Sequence, residues 1–201
     1  MIRVLLVDDE NLIRTALATM LDLESDVEIV GQADSGETAL AGIQGWRPDV
    51  AVLDLQLGGI DGIETAQRIT GLVPRCASII VTSHGRPGYL KKALAAGVRG
   101  FLPKTTSAAT LADVVRTVHA GGRYVDPALA AEAIGAGDSP LTPREADVLE
   151  YAADGASIAE IAQRAHLSPG TTRNYLSAAA TKLGAVNRHE ASAVARRHGW
   201  I

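Results

Sequence analysis

Short apolar runs alternate with longer segments of helical spacing along the first 120 residues. The runs, rich in Val and Ile, predict strands over Ile2–Val7, Val27–Gly31, Val50–Leu55, Ile79–Ser83 and Arg99–Leu102. Between them apolar residues recur three and four apart: Leu12, Ile13, Ala16, Leu17, Met20 and Leu21; Leu40 and Ile43; Ile63, Ala66 and Ile69; Leu90, Ala93 and Leu94; Leu111, Val114, Val115 and Val118. Each set predicts a helix. Five strands alternating with five helices predict an α/β domain, a five-stranded parallel (βα)5 sheet doubly wound with helices on both faces. Sites in such sheets form beyond the carboxyl ends of the strands, near a topological switch point.

The pattern changes after Gly121 and Gly122, which end the fifth helix. "DPALAAEAIGAGDSP", residues 126–140, is Ala-rich and helix-compatible in its first half and linker-like in its second. From Leu141 no strand pattern remains. Thr142, Ser157, Ser168 and Asn187 stand as N-caps, Pro143 and Pro169 take first helical positions, and Gly155 and Gly184 follow helix ends. Four short helices predict a small all-α domain, and the tight "AHLSP" connection predicts a helix-turn-helix. The expected division is a domain at 1–121, a linker at 122–140 and a second domain at 141–201.

The chain is 47% hydrophobic but only 3% aromatic, so its core must be built from Ala, Val, Leu and Ile. Cys76, the single cysteine, excludes an intramolecular disulfide and a cysteine-based metal cluster, and it suits a reducing cytoplasm. Its position predicts a small buried apolar residue. No apolar run approaches the roughly 20 residues of a membrane span, and "MIRVLLVDDE" does not read as a secretory signal. His84, His119, His166, His189 and His198 lack metal spacing. Trp46, Tyr151 and Trp200 read as packing residues. A net charge of −4 argues against nucleic acid, yet the charge is uneven: six bases against one acid from Arg164 onward, seven acids against one base over Pro127–Gln163. A local basic face can still bind DNA.

Asp54 stands inside the apolar run Val50–Leu55, where an isolated carboxylate is costly. Asp8 and Asp9 end the first strand, Thr82 and Ser83 end the fourth, and Lys104 follows the fifth. With the first strand central and the third and fourth beside it, these ends converge on one rim. Three carboxylates that close need a cation, and Mg2+ suits carboxylates, water and a phosphate oxygen. Lys104 and the Thr82 hydroxyl complement a phosphoryl group on Asp54.

These residues resemble the receiver domain of two-component response regulators: "VDDE" matches the metal-binding pair, "LDLQ" the phosphoacceptor, "VTS" the switch hydroxyl and "GFLPK" the aromatic and lysine. The resemblance implies that Asp54 accepts phosphate and that Asp8, Asp9, Asp54 and the Gln56 carbonyl hold Mg2+. It also implies that Thr82 and Lys104 bind phosphoryl oxygens, and that Phe101 moves inward when Thr82 is recruited. Leu57-Gly58 departs from the family's Met-Pro, so this loop is expected to be more mobile; Thr105 replaces the proline common after the lysine.

"LTPREADVLEYAADG", "IAEIAQRAHLSPGTTRNYLS" and "KLGAVNR" resemble the LuxR-type DNA-binding domain, which makes the whole chain similar to the NarL/FixJ class. "HGRPGYLKKALAAGVRGFLPK" and "SPGTTRNYLSAAATKLGA" look most like its DesR-type members. The resemblance implies a recognition helix whose outward face carries Thr171, Arg173, Asn174 and Ser177. Arg173 and Asn174 suit base edges; Thr171, Lys182 and Arg188 suit phosphates. Thr172, where the family prefers valine, is expected to face the scaffold with its hydroxyl on a carbonyl one turn back. The partners implied are a sensor histidine kinase, double-stranded DNA and, on phosphorylation, a second copy. Ala16, Leu17, Leu111 and Val115 are candidate dimer contacts, but they read first as core.

Two other readings use the same residues. A constitutive DNA-binding regulator would leave the acidic pocket unused, but the set Asp8, Asp9, Asp54, Thr82 and Lys104 is complete. A Mg2+-dependent aspartate phosphohydrolase would place an Asp-x-Asp nucleophile on the first strand, and "VDDEN" lacks that spacing.

Overall fold

The computed structural model describes residues 1–83, 87–135 and 139–201; His84 and positions 136–138 of the expected linker lie outside them. The chain divides into two compact units after Leu129.

The first unit runs β1 (Ile2–Val7), α1 (Asn11–Leu21), β2 (Val27–Ala33), α2 (Gly36–Trp46), β3 (Val50–Asp54), α3 (Gly62–Leu72), β4 (Ala77–Thr82), α4 (Pro87–Ala95), β5 (Gly100–Pro103), α5 (Ala108–His119) and β6 (Tyr124–Val125). All strand pairs are parallel, in the order β2-β1-β3-β4-β5-β6. The five expected strands are present. A sixth, of two residues, pairs with β5 and is too short to carry a period of two. From β1 the chain first moves out to β2, then returns to the other side as β3, so the switch point lies between β1 and β3. β3 is buried throughout, as a central parallel strand covered on both faces must be.

α5 buries the predicted Leu111, Val114, Val115 and Val118. On α1 the predicted stripe is wider than the face the sheet takes up. Ala18 and Leu21 are buried and Leu17 packs against the core, whereas Leu12 is 83% exposed, Met20 48%, and Ala16 is exposed as well. Leu111 and Val115 are therefore core; Ala16 is not. Six apolar positions spread over more arc than one helix can bury against a sheet. Trp46 ends α2 half-buried, with its ring against Gly31 of β2, and Cys76 is buried.

The expected linker carries β6 and then α6 (Pro127–Gly135), whose first turn is capped by the Asp126 carboxylate on the Ala128 and Leu129 N–H groups. The second unit contains α7 (Pro143–Ala153), α8 (Ile158–Arg164), α9 (Pro169–Lys182) and α10 (Arg188–Arg197). Thr142, Ser157, Ser168 and Asn187 all cap as expected, the first two in full capping boxes with Glu145 and Glu160. Val148, Leu149, Ile161, Leu176, Ala179 and Ala191 form the core, and Tyr151 packs against it. Among the described residues no helix is long and apolar enough to cross a membrane.

Arg116 of α5 ties the α1–β2 turn to the sheet unit through Glu24 at 2.6 Å and Asp26 at 2.7 Å. The Arg116 guanidinium holds the Asp26 carboxyl down at about 2, against 3.8 ordinarily. A depressed folded pKa contributes stability that is present above the unfolded value and lost as pH falls through the folded one. Asp26→Asn is therefore expected to flatten the stability–pH curve between about pH 4 and pH 2. Urea unfolding at a series of acid pH values checks this; identical slopes in variant and wild type would refute it.

Candidate functional site

Each chemical group at the rim is placed by a strand end. Asp8 follows β1, Asp54 closes β3, Thr82 closes β4, and Lys104 follows β5 with its N–H on the Thr82 carbonyl at 2.8 Å. The register pairs Val7 with Leu53 and Asp54 with Val81, which levels these ends. The Lys104 ammonium lies 2.8 Å from Asp8, 2.9 Å from Asp54 and 2.9 Å from Glu10. Asp8, Asp54 and Thr82 are all buried.

One ammonium cannot neutralise three carboxylates. Burial pushes the Asp54 carboxyl up, and Asp8 adds to this; Lys104 only partly offsets it. Burial alone would lower the Lys104 ammonium, but its bonds to Asp8, Glu10 and Asp54 outweigh that and raise it. The site therefore keeps an excess of negative charge with a fixed positive centre. Asp8, Glu10 and Asp54 present carboxylate oxygens within 4.8 Å of one another. An all-oxygen donor set of this kind fits a hard divalent ion such as Mg2+.

The expected pair Asp8-Asp9 is only half of what the structure gathers. The Asp9 side chain is exposed and stands outside the cluster, and Glu10 takes its place. The signal was the third acid of "VDDE". Gln56 donates its N–H to Asp54 Oδ1 at 3.3 Å. Phe101 lies fully buried in β5.

The loop after Asp54 is held rather than loose. Leu57 is buried, the Glu37 carboxylate of α2 accepts the Ile60 N–H at 3.2 Å, and Asp61 caps α3. Gln56, Gly58 and Gly59 are exposed between these contacts. Gly62, at the start of α3, runs so close to β3 that a Cβ would collide with the Asp54 carbonyl.

In the second unit, α9 buries Thr172, Leu176 and Ala179 and exposes Arg173, Asn174 and Ser177 on one face. The buried Thr172 hydroxyl donates to the Ser168 carbonyl at 3.0 Å, as expected. Thr171 is half-buried and shares the cap, its hydroxyl 2.8 Å from that of Ser168. Arg188 is half-buried at the start of α10. Lys182 has a partner within the unit. Its ammonium lies 2.7 Å from the buried Glu145, whose carboxylate also accepts the Thr142 N–H. Burial would raise the Glu145 carboxyl, but Lys182 and the Thr142 N–H outweigh it and hold it low. Lys182 is thus first an anchor for α9. His166, in the turn between α8 and α9, has a left-handed φ of 55°.

Comparison with known proteins accounts for both units. Residues 4–116 match the response regulator receiver domain, and residues 139–195 match the bacterial regulatory proteins of the luxR family. The chain is 38% identical to the transcriptional regulatory protein DesR of Bacillus subtilis (strain 168) over the full length of both. It is 37% identical to the transcriptional regulatory protein UhpA of Escherichia coli (strain K12), again over the full length of both. The signal receiver domain of the response regulator NarL from Mycobacterium tuberculosis superposes with a TM-score of 0.58 at 32% identity, covering 60% of this chain and 97% of that one.

Two outcomes follow for stability. Gly62→Ala is expected to lower the stability of the first unit by about 1–3 kcal/mol, because backbone must move on both sides of the contact. Lys182→Met, which leaves Glu145 buried without its ammonium, is expected to cost the second unit about 1–2 kcal/mol, discounted because the pair is partly exposed. Calorimetric unfolding of each variant reads both, and melting unchanged from wild type would refute them.

Proposed function

The chain belongs to the response regulators that join a receiver domain to a LuxR-type DNA-binding domain, and on that basis we propose that this chain is cytoplasmic, that its Asp54 accepts a phosphoryl group from the histidine of a sensor kinase, and that this promotes dimerisation on DNA. Transcriptional regulation within a two-component system is the activity of this family. The observation that supports Asp54 as the acceptor is its place at the switch-point rim, buried between Asp8 and Lys104.

In the transfer, an Asp54 carboxylate oxygen attacks phosphorus, a P–O bond forms, and the P–N bond to the kinase histidine breaks. Lys104 draws the phosphoryl oxygens with its fixed charge, and the Thr82 hydroxyl is positioned to donate to one. Asp8, Asp54 and the Gln56 carbonyl are the groups assigned to Mg2+, and Asp9, exposed beside them, would join by turning its side chain into the cluster. Bound there, Mg2+ would neutralise the negative charge that the carboxylates and the phosphate bring together. The Gln56 N–H on Asp54 Oδ1 holds the carboxylate plane. The only catalysis assigned to the chain is on its own Asp54.

DNA binding is assigned to the second unit, with Arg173 and Asn174 at base edges. Ser177 flanks them, and Thr171, Lys182 and Arg188 are assigned to phosphates. A second copy suits the exposed apolar face of α1, where Leu12, Ala16 and Met20 follow one another at intervals of four and Leu23, 82% exposed, lies just beyond. Two linked helix-turn-helix units raise each other's effective concentration at paired half-sites.

Light scattering on a sizing column, with Mg2+ alone and with Mg2+ plus beryllofluoride as a phosphoryl mimic, tests this. The mimic is expected to convert monomer to dimer in wild type and to have no effect in Asp54→Ala or Leu12→Asp. A mass unmoved by the mimic, with DNA bound equally well in both conditions, would overturn the switch. Arg173→Ala is expected to weaken specific DNA binding by about 1–3 kcal/mol while leaving the mimic-induced dimer intact; equal loss on specific and random DNA would reassign Arg173 to phosphate.

A further inference from the structure

The Lys104 ammonium donates to Glu10 and to Asp54 at 2.9 Å each and is ion-paired with Asp8 at 2.8 Å, so three carboxylates crowd its three N–H groups. A phosphoryl oxygen that is to be held by Lys104 must therefore displace a carboxylate or share it. The three carboxylates are not equivalent. Asp8 and Asp54 are 5% and 6% exposed at their side chains, so either one left without its cation would be a bare buried charge. Glu10 is 56% exposed and can turn to water.

We propose that Glu10 is a positioning residue that competes with the phosphoryl group for Lys104, and so sets how readily Asp54 is phosphorylated and how long the phosphate persists. The inference rests on Asp54 being the phosphoacceptor. Glu10 acts twice. It occupies the N–H that can be released at least cost, and its negative charge lies beside the place where phosphoryl oxygens arrive. Removing that charge relieves both effects. Lys104 still donates to the buried Asp54 and pairs with the buried Asp8 when Glu10 is changed, so it stays in place. Glu10 sits before the first turn of α1, makes no side-chain cap to that helix, and is largely exposed, so its substitution leaves the fold intact.

The test is a beryllofluoride titration of the full chain at saturating Mg2+, followed by 19F NMR, for wild type, Glu10→Gln, Glu10→Ala and Asp54→Ala. Both Glu10 variants are expected to bind the mimic about three- to tenfold more tightly than wild type, the range of one partly exposed charged contact. Decay of the phosphorylated form is expected to slow by a similar factor. Unchanged or weaker mimic binding in Glu10→Gln overturns the inference; if Mg2+ affinity measured by calorimetry falls with it, Glu10 is a metal ligand instead. Failure of the underlying reading has a different signature, since wild type would then not bind the mimic or Asp54→Ala would bind it equally well.

Discussion

One ammonium group set among three carboxylates is the constraint on which the first unit depends. Asp54 can lie at the end of a fully buried strand only because Lys104 reaches it from the far side of β4. That reach requires β1, β3, β4 and β5 to end level on one rim, which the parallel register provides. It also requires α3 to begin hard against β3, which Gly62 permits. The topology, the loops and the close approach serve one electrostatic problem, and its residual negative charge is what a divalent cation can answer.

The second unit solves a smaller version of the same problem. Glu145 is buried as an N-terminal acid of α7, and Lys182 crosses from the end of α9 to neutralise it. Here the pair is closed, with one charge against one. Nothing is left over for a ligand, and the pair works as a joint between helices. The inward residues of α9, Thr172, Leu176 and Ala179, and its last residue, Lys182, are tied to the scaffold, while Arg173, Asn174 and Ser177 stay exposed.

Sequence periodicity located every principal element, because parallel strands buried on both faces are continuous apolar runs and their helices carry a clear stripe. The acidic rim was legible too, since strand order converts positions far apart in sequence into neighbours. What escaped had physical causes. β6 spans two residues and has no period to read. The stripe of α1 looked like core, but a helix buries one arc, and burial does not distinguish a surplus apolar residue until the partner face is known. Glu10 was hidden by adjacency, since a third acid after Asp8-Asp9 has no pattern of its own and only the turn into α1 brings it to Lys104. Lys182 appeared as one base among six, and the buried acid that claims it lies 37 positions away. His166 occupies a left-handed turn position where glycine is the usual signal.

The Glu145 carboxylate caps α7 and also fastens the last residue of α9. Fraying of the first turn of α7 therefore strips α9 of its anchor, and loss of α9 uncovers the acid that caps α7. The two helices share one local stability. Local opening at the start of α7 and at the end of α9 is thereby coupled through one carboxylate.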